Sequence, residues 1–451
     1  MKRHNPAIGR ELWSLSYPTM ISYTMQSVYD MVDMLWLGRI SSEAVAGVTI
    51  FSSIFFLFTF LNEVIGSGSI SVISQNIGRG DEERARIAAE QTITFKVVMG
   101  ILTALLLGLL LDPLLHLFTK EEAVLDAAYA YGGLRILFLP VFFASFSANT
   151  IFRCSGDAKT PMKILLLATI TNLVLDPIFM FDTIPGTHLP GLGLGVYGAA
   201  LATVLSISLS FILGFFLLFR RKDALKPHWR GLFTLHPSVD LELIRVGLPN
   251  GIQMVLRYGF NAILVRAVAI FGVAAVAAFG IGGKIYGLAF LPIEGMLMGG
   301  SVLLGRFLGK EDIDSALDTS YYARLFNGLL MTAFTVLCYL FGADFYRLFT
   351  TDAAVISMGQ DFLFLATPML PLLGLAFGMG IAFLGSGYQR PMLIGGFCAQ
   401  WLIQLPIILW GIWSGHDIRV LFISYLFADF FESMILWYFF RRGTWKWVRV
   451  G

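Results

Sequence analysis

One mostly apolar segment occurs twice in this chain. Residues 44–78 read AVAGVTIFSSIFFLFTFLNEVIGSGSISVISQNIG, and residues 275–309 read AVAAFGIGGKIYGLAFLPIEGMLMGGSVLLGRFLG. Both copies begin with Ala-Val-Ala, carry a glutamate at the same position, Glu63 and Glu294, and end in glycine. A transmembrane helix needs roughly 20 predominantly apolar residues. The segment therefore predicts a membrane helix, and its second copy predicts an internal duplication.

The duplication extends well beyond this segment, at a constant offset of 231 residues. The following pairs coincide at this offset: Pro18 with Pro249, Leu139-Pro140 with Leu370-Pro371, and Ser155-Gly156 with Ser386-Gly387. The offset spans an even number of predicted helices, so the two halves run in the same direction across the membrane. Parallel repeats of this kind are a recurrent transporter architecture, with the substrate site near the membrane midplane.

The composition leaves little room for anything except membrane spans. Of the 451 residues, 57% are hydrophobic and 14% are charged, which excludes a disordered tail or a nucleic-acid-binding arm. Long apolar runs predict twelve spans, at 12–37, 45–75, 90–118, 127–152, 162–182, 194–219, 243–271, 274–305, 320–349, 357–384, 392–413 and 417–440. The predicted fold is all-α and polytopic, with twelve transmembrane helices in two pseudo-symmetric six-helix lobes, 1–219 and 243–451, joined by a linker at 220–242.

The distribution of positive charge predicts the orientation. The net charge is only +2. If the amino terminus is inside, the segments on its side of the membrane, from Lys2 and Arg3 onwards, collect 21 Lys and Arg, whereas the opposite loops contain four. The positive-inside rule therefore predicts a multi-pass protein of the plasma or inner membrane with both termini in the cytoplasm. Three scattered cysteines indicate neither a disulfide framework nor a zinc site.

The polar residues inside the spans are the candidates for function, because a charge in hydrocarbon costs at least about 2.5–3.5 kcal/mol. On the first span Gln26, Asp30 and Asp33 share one helix face. In the outer half of the lobe we expect a cluster of oxygen-bearing side chains, comprising Asp33, Asn172, Asp176 and Thr203. Such a cluster suits a cation or a proton-titrated pair of acids. The alternatives are that Asp33 and Asp30 are solvated at the outer end and that Asp176 caps backbone beside Pro177.

Glu63 and Glu294 form a second candidate pair, because they lie in the middle of repeat-equivalent spans. Buried charges usually pair, and the candidate partners are Lys96, Arg257, Arg266 and Lys284. We favour structural ion pairs for the two glutamates, and a functional role for Glu63, Arg257 and Glu294 is the alternative. Pro18 and Pro249, inside long apolar spans, predict kinks.

At this point the chain resembles a known family, multidrug and toxic compound extrusion (MATE), and within it the DNA-damage-inducible-F-like branch. The motifs that resemble it, in order, are PTM (18–20), VYDMVDMLWLGRI (28–40), ISQNIGRGDEERA (73–85), FRCSGDAKTPM (152–162), NLVLDPIF (172–179) and GVYGAALATV (195–204). The resemblance implies a twelve-helix, two-lobe antiporter that exports amphipathic, often cationic compounds in exchange for H+ or Na+. It also implies that Asp33, Asn172, Asp176 and Thr203, with Gln26 close by, couple transport to the ion, and that Pro18 bends the first helix.

The chain also departs from the family pattern. Another branch carries a glutamate eight residues after the second-lobe proline, where this chain has Arg257. A second-lobe Na+ site is therefore disfavoured, and Arg257 is a candidate to neutralise Glu294. The loop at 182–193 is longer than is usual for the branch, and no role is assigned to it.

Several functional alternatives remain. The first is an antiporter. We favour H+ as its coupling ion, and the alternative is Na+ bound at the same cluster of Asp33, Asn172, Asp176 and Thr203. The second is a flippase or exporter of a lipid-linked or metabolite substrate on a related two-lobe fold. An enzyme is disfavoured because the chain has no Walker, HExxH or Cys/His motif. We expect no cofactor, small amphipathic substrates, a lipid bilayer as surroundings, no nucleic-acid partner and a monomer.

Overall fold

Helices make up most of the computed structural model, which describes residues 4–223 and 225–450. Lys2 and Arg3, used above for the orientation, lie outside these ranges. The helices of the first repeat are α1 (Pro6–Gly38), α2 (Ser42–Phe58), α3 (Phe60–Arg79), α4 (Glu82–Phe118), α5 (Glu122–Leu137), α6 (Leu139–Cys154), α7 (Lys159–Met180) and α8 (Gly195–Phe219). Those of the second are α9 (Pro237–Ala269), α10 (Val273–Gly309), α11 (Ile313–Arg347), α12 (Ala353–Ala366), α13 (Leu370–Ser386), α14 (Arg390–Phe397), α15 (Leu405–Trp413) and α16 (Arg419–Arg442).

Eleven of the twelve predicted spans correspond to helices, or bent helix pairs, that are long and apolar enough to cross a membrane. Eight of these are continuous and three are bent pairs. The remaining predicted span is α1, which is 33 residues long and therefore long enough to cross. Its lower apolar content reflects polar residues such as Gln26, Asp30 and Asp33. Over the two described ranges, extended pairing is limited to an isolated bridge between Thr183 and Pro190. The prediction of an all-α membrane fold is confirmed.

Three spans were predicted as single helices, and this prediction is wrong for each of them because the span is broken into two helices. The span 127–152 bends by 55° between α5 and α6, and the span 357–384 bends by 56° between α12 and α13. Pro140 and Pro371 stand in the first turn of α6 and α13, where a missing N–H and a fixed φ favour a helix start. The span 45–75 bends by 43° at Thr59. There the Thr59 hydroxyl donates to the carbonyl of Phe56 at 2.7 Å, a bond that often bends helices.

The eleventh span is continuous but not uniformly α-helical. Between α14 and α15, Cys398–Gln404 form a π-helical stretch. This wider winding is rare in proteins and is often found at functional sites. It packs against α16.

Packing divides the chain into two compact units. The N unit contains residues 21–247, and the C unit contains residues 4–20 together with 248–450. The first helix of each repeat is therefore shared: α1 changes unit after Met20 and α9 changes unit after Gly247. The limits of these two units reflect how the helices pack and not where the duplication begins and ends. The lobe limits 1–219 and 243–451 therefore stay a prediction.

Within the N unit, the start of α9 crosses α3 at very short distance. A Cβ atom added to Gly247 would lie 1.7 Å from the carbonyl oxygen of Val64, and one added to Gly68 would lie 2.2 Å from the carbonyl oxygen of Leu243. Small residues at helix crossings allow backbones in membranes to approach this closely. The crossing therefore requires glycine on both helices.

Within the C unit, the start of α1 packs against α10 and α11. His4 Nδ1 lies 2.6 Å from Asp318 Oδ1, and the ring of Trp13 packs on Phe326 at 5.2 Å. Ser16 lies against Gly299, where an added Cβ would be 2.6 Å from Ser16 Oγ. Gly299 is the repeat equivalent of Gly68, so both units use the same kind of crossing.

The segment between the repeats is fastened to α4 rather than extended into solvent. Glu90 Oε1 accepts the backbone N–H of His228 at 2.7 Å, Gln91 Nε2 donates to the carbonyl of Thr234 at 2.6 Å, and Thr94 Oγ1 donates to the carbonyl of Leu232 at 2.8 Å. The predicted linker 220–242 is therefore packed against the N unit over part of its length.

Candidate functional site

A cavity of about 180 Å³ lies in the N unit between α1, α2, α5, α6, α7 and α8. We call it the N-unit cavity. Its wall contains aromatic rings together with amide, hydroxyl and charged groups. Its principal residues are Gln26, Tyr29, Asp30, Phe55, Phe56, Arg135, Phe142, Ser145, Phe146, Asn149, Asn172, Thr203, Ser206 and Ser210. An aromatic wall with a few polar groups is typical of small-molecule sites.

Asp33 is buried beside this cavity and is held by a tyrosine. The hydroxyl of Tyr131 donates to Asp33 Oδ2 at 3.0 Å. The same hydroxyl oxygen accepts a hydrogen bond from the Arg135 guanidinium at 2.9 Å. Asp33 is 5% exposed, which excludes the alternative that it is solvated near the surface. The result is a chain of hydrogen bonds from a guanidinium, through a phenol, to a buried carboxylate.

Asp176 and Asn172 are fully buried on one face of α7. They stand one helical turn apart, and Asn172 Nδ2 donates to Asp176 Oδ1 at 3.1 Å. Among residues 4–223 and 225–450, no hydrogen-bond partner is present for three buried oxygens: Asp176 Oδ2, Asn172 Oδ1 and Asp33 Oδ1. A buried polar atom without a partner is costly, so each such group calls for an explanation such as a bound ion, proton or water.

Thr203 reaches the cavity from α8. Its hydroxyl donates to the carbonyl of Ala199 at 2.9 Å and lies 2.8 Å from the hydroxyl of Tyr29. Gln26 Nε2 donates to Asp30 Oδ1 at 3.3 Å, and both residues line the cavity, as the shared face of the first span predicted. Asp30 is exposed at the cavity, and the solvation expected for it stays a prediction.

The loop 182–193 closes the end of α7 that carries Asp176. The backbone N–H groups of its residues Leu192 and Gly193, and of Leu194 directly after it, donate to the carbonyls of Ile178, Phe181 and Phe179, at 2.8, 3.1 and 2.8 Å. These are carbonyls that the end of a helix leaves without partners. The loop to which no role was assigned therefore caps α7, one turn beyond Asp176-Pro177.

The structure brings the predicted site residues into one region, but only some of them line the cavity. Gln26, Asp30, Asn172 and Thr203 line the cavity, whereas Asp33 and Asp176 stand behind its surface. The two buried carboxylates are close enough to repel each other electrostatically. Pro18 is buried, and α1 runs through it as one helix, so its bending role stays a prediction.

Tyr131 and Arg135 were missed by the sequence analysis. The available signal was that Arg135 is the one charged residue in the apolar run 127–152. No comparable signal marks Tyr131, because its importance comes from standing between Arg135 and a residue 98 positions away in sequence.

The second group of candidates lies elsewhere. In the N unit Glu63 accepts a bond from Asn62 at 3.3 Å and interacts electrostatically with buried Lys96, one of its predicted partners. In the C unit Arg257 pairs with Glu432 on α16 at 3.4 Å. Glu294 is half-buried on α10.

Two buried acids of the last span were also missed. Asp429 and Glu432 lie on one face of α16, each 6% exposed, and the Tyr286 hydroxyl donates to Asp429 Oδ2 at 3.3 Å. The signal for them was two acids inside an apolar span.

Solved structures show the same fold. A variant of VcmN, a MATE transporter of Vibrio cholerae, superposes with a TM-score of 0.89 at 22% identity, over 97% of each chain. The fold shared with this structure defines the class of protein: a polytopic helical membrane protein.

The relatives and the family model give the family. A probable multidrug resistance protein of Bacillus subtilis, YoeA, is 25% identical over 99% of this chain and 96% of its own length. The FAD transporter of Shewanella oneidensis is 22% identical over 90% of this chain and 88% of its own length. The MatE family model matches residues 18–178 and 249–410, two segments that begin at the repeat-equivalent prolines. The chain belongs to the MatE family of multidrug efflux transporters. Its place in the DNA-damage-inducible-F-like branch stays a prediction.

Proposed function

We propose that this protein exports amphipathic small molecules in exchange for H+ or Na+, with coupling at Asp33 and Asp176. The observation that carries the proposal is a set of three buried oxygens that have no hydrogen-bond partner in the part of the chain that the structure describes: Asp33 Oδ1, Asp176 Oδ2 and Asn172 Oδ1. Two carboxylates that repel each other in a poorly solvated place are stabilised when either takes up a proton or when a cation binds between them.

Exchange follows if the ion and the substrate stabilise different conformations. A cationic group of a substrate in the N-unit cavity and a coupling ion at Asp33 or Asp176 oppose each other electrostatically. Binding of one therefore weakens binding of the other, and an ion gradient shifts the populations of the transporter. We favour H+ as coupling ion, and the hard oxygens of carboxylate, amide and hydroxyl groups suit Na+ as the alternative.

Pro18 lies fifteen residues before Asp33 on the same helix, about four turns. We propose that α1 bends at this proline when Asp33 is neutralised.

We further propose that the protein lies in the inner or plasma membrane as a monomer, with both termini in the cytoplasm.

A metabolite exporter is the second candidate. The relative named FAD transporter supports it, since that name denotes an anionic aromatic cargo. A flippase of lipid-linked substrates has no such support.

The test uses proteoliposomes loaded with a fluorescent organic cation, with a proton gradient or a sodium gradient imposed separately. We expect one gradient to drive transport by the wild-type protein and neither to drive it in Asp176→Asn. Asp126→Asn, an exposed acid of α5 in the same unit, is the matched control and should transport normally. Undiminished gradient-driven transport by Asp176→Asn would refute coupling at this site.

A further inference from the structure

Residues 226–236, which connect the two repeats, combine exposed apolar side chains with positive charge. We call them the inter-repeat segment. Trp229, Phe233 and Leu235 are 67%, 87% and 63% exposed, and Lys226 and Arg230 are exposed beside them. Exposed apolar patches with a polar rim mark places where a protein contacts a partner or a membrane. The proposed exchange makes no use of this one.

The contacts of the inter-repeat segment place it level with the ends of two membrane helices. The ring of Trp229 stacks on that of Phe219, the last residue of α8, with the centroids 4.1 Å apart and the planes inclined by 9°. Thr94 of α4 donates to the carbonyl of Leu232 at 2.8 Å. Both helices are long and apolar enough to cross a membrane. The sequence predicts that their membrane parts end at residue 219 and begin at residue 90, so the segment lies at the membrane surface.

A groove of about 610 Å³ runs between the inter-repeat segment and α4. Arg86 of α4 forms part of its wall. Arg86 Nη1 lies 2.8 Å from His228 Nδ1, and Arg86 Nε lies 3.8 Å from Glu90 Oε1. Glu90 is buried, and its Oε1 also accepts the N–H of His228. The charge of Glu90 is therefore compensated by groups of the protein.

The basic side chains of the segment have no such compensation. Lys226 and Arg230 line the groove, and in the part of the chain that the structure describes no carboxylate lies within 4.0 Å of either. The remaining acid of the groove, Glu83, is exposed. The groove therefore presents positive charge to an incoming group, and its complement is an anion.

We propose that the groove and the inter-repeat segment bind an anionic phospholipid. Lys226 and Arg230 hold the phosphate, and Trp229, Phe233 and Leu235 enter the layer between headgroups and acyl chains. Tryptophan is enriched at that level of a membrane, and basic pockets beside membrane helices bind anionic headgroups. A soluble anion would leave the apolar side chains without a role. The inference goes beyond the export proposed above and does not depend on it.

The experiment uses two photoreactive phospholipids that carry a diazirine next to the headgroup. Phosphatidylglycerol is anionic, whereas phosphatidylcholine has the same phosphate with a compensating ammonium group. The purified full-length protein in an uncharged detergent is irradiated with increasing mole fractions of each lipid, and the labelled residues are located by tandem mass spectrometry. We expect phosphatidylglycerol to label residues 226–236 at a lower mole fraction than phosphatidylcholine does.

Substitution of the two basic residues tests the charge. Each basic residue near an anionic membrane surface strengthens binding by about fivefold. The mole fraction of phosphatidylglycerol that gives half-maximal labelling should therefore rise by about 25-fold in Lys226→Gln/Arg230→Gln, with little change for phosphatidylcholine. Arg39→Gln/Lys120→Gln is the matched control: both residues are exposed in the same unit, and Arg39 also lies over an aromatic ring, that of Trp36 at 4.8 Å. The control should leave the labelling of residues 226–236 unchanged.

Phe233→Ser tests the apolar part of the site. It removes an exposed ring and no charge, so labelling of the segment by both lipids should weaken several-fold. Unchanged labelling by both lipids would overturn the insertion of these side chains into the membrane.

Three results would overturn the proposed lipid site. The first is equal half-maximal labelling by the two lipids in the wild-type protein, which decides even if a variant does not fold. The second is a rise in the control as large as that in Lys226→Gln/Arg230→Gln. The third is complete displacement of phosphatidylglycerol by excess glycerol 3-phosphate, which carries the phosphate without acyl chains and would assign the groove to a soluble anion.

Discussion

Replacing Gly247 with alanine tests the close crossing of α9 and α3. The added Cβ would lie 1.7 Å from the carbonyl oxygen of Val64 and 2.7 Å from its carbonyl carbon. The shortest ordinary carbon–oxygen contacts between backbones are about 3.3 Å. The helices must therefore separate by about 1.5 Å, since a backbone carbonyl cannot rotate away as a flexible side chain can.

The size of the effect follows from two opposing contributions. Overpacking of a well-packed site costs about 1–3 kcal/mol. Alanine in a helix recovers about 0.5–1 kcal/mol relative to glycine. We expect a net loss of about 1–2 kcal/mol in the free energy of unfolding. For a unit of 150–250 residues, 1 kcal/mol corresponds to about 2–4 °C, so Tm should fall by about 2–8 °C.

The measurement is the fraction of detergent-solubilised protein that still elutes as a monodisperse peak after heating. Gly133→Ala is the control, because Gly133 lies in α5 of the same unit with nothing within 4 Å of an added Cβ. Its Tm should rise slightly or stay constant. An unchanged Tm in Gly247→Ala, or an equal fall in Gly133→Ala, would show that the crossing is not tightly packed and refute the reasoning.

Three further substitutions test separate contacts. Tyr131→Phe removes the hydroxyl that links the Asp33 carboxylate to the Arg135 guanidinium, and gradient-driven efflux should fall by roughly tenfold. Efflux at the wild-type rate would contradict a role for this chain of hydrogen bonds in transport. Glu432→Gln leaves Arg257, which is 42% exposed, without its ion partner and should cost about 1 kcal/mol in thermal unfolding. The double variant Arg257→Gln/Glu432→Gln should recover part of that loss. A double variant that loses as much stability as the two single variants added together would contradict the pairing. Glu90→Gln weakens the bond to the N–H of His228, so trypsin should cut the segment between the repeats several-fold faster; unchanged cleavage would mean that this bond does not hold the segment.

The sequence predicted the spans well because apolar runs and a constant offset are local, countable signals. It did not predict the breaks between α5 and α6 or between α12 and α13. Pro140 and Pro371 were visible, but a proline inside an apolar run is equally consistent with a kinked continuous helix. The 56° break at 367–369 depends on the packing of both pieces, which one sequence does not contain.

The candidate site shows the same limit. Asp33, Asn172 and Asp176 could be found because acids and amides are rare within spans and because helical periodicity places Asn172 and Asp176 on one face. Periodicity does not show which helix stands opposite. The contacts of Tyr131 with Asp33 and Arg135 depend on how α5 sits against α1, and they became visible only in three dimensions.

The sharing of α1 between the two units has a consequence for biosynthesis. The bond between His4 and Asp318 joins residues 314 positions apart. At a synthesis rate of about 5–20 residues per second, the first turns of α1 wait roughly 15–60 s for their partners on α10 and α11 to be made. The N unit is complete as soon as residue 247 has been added, whereas the C unit combines residues 4–20 with residues 248–450. During this interval residues 4–20 lack their packing partners, and it is then that a chaperone or membrane insertase has the greatest opportunity to bind them.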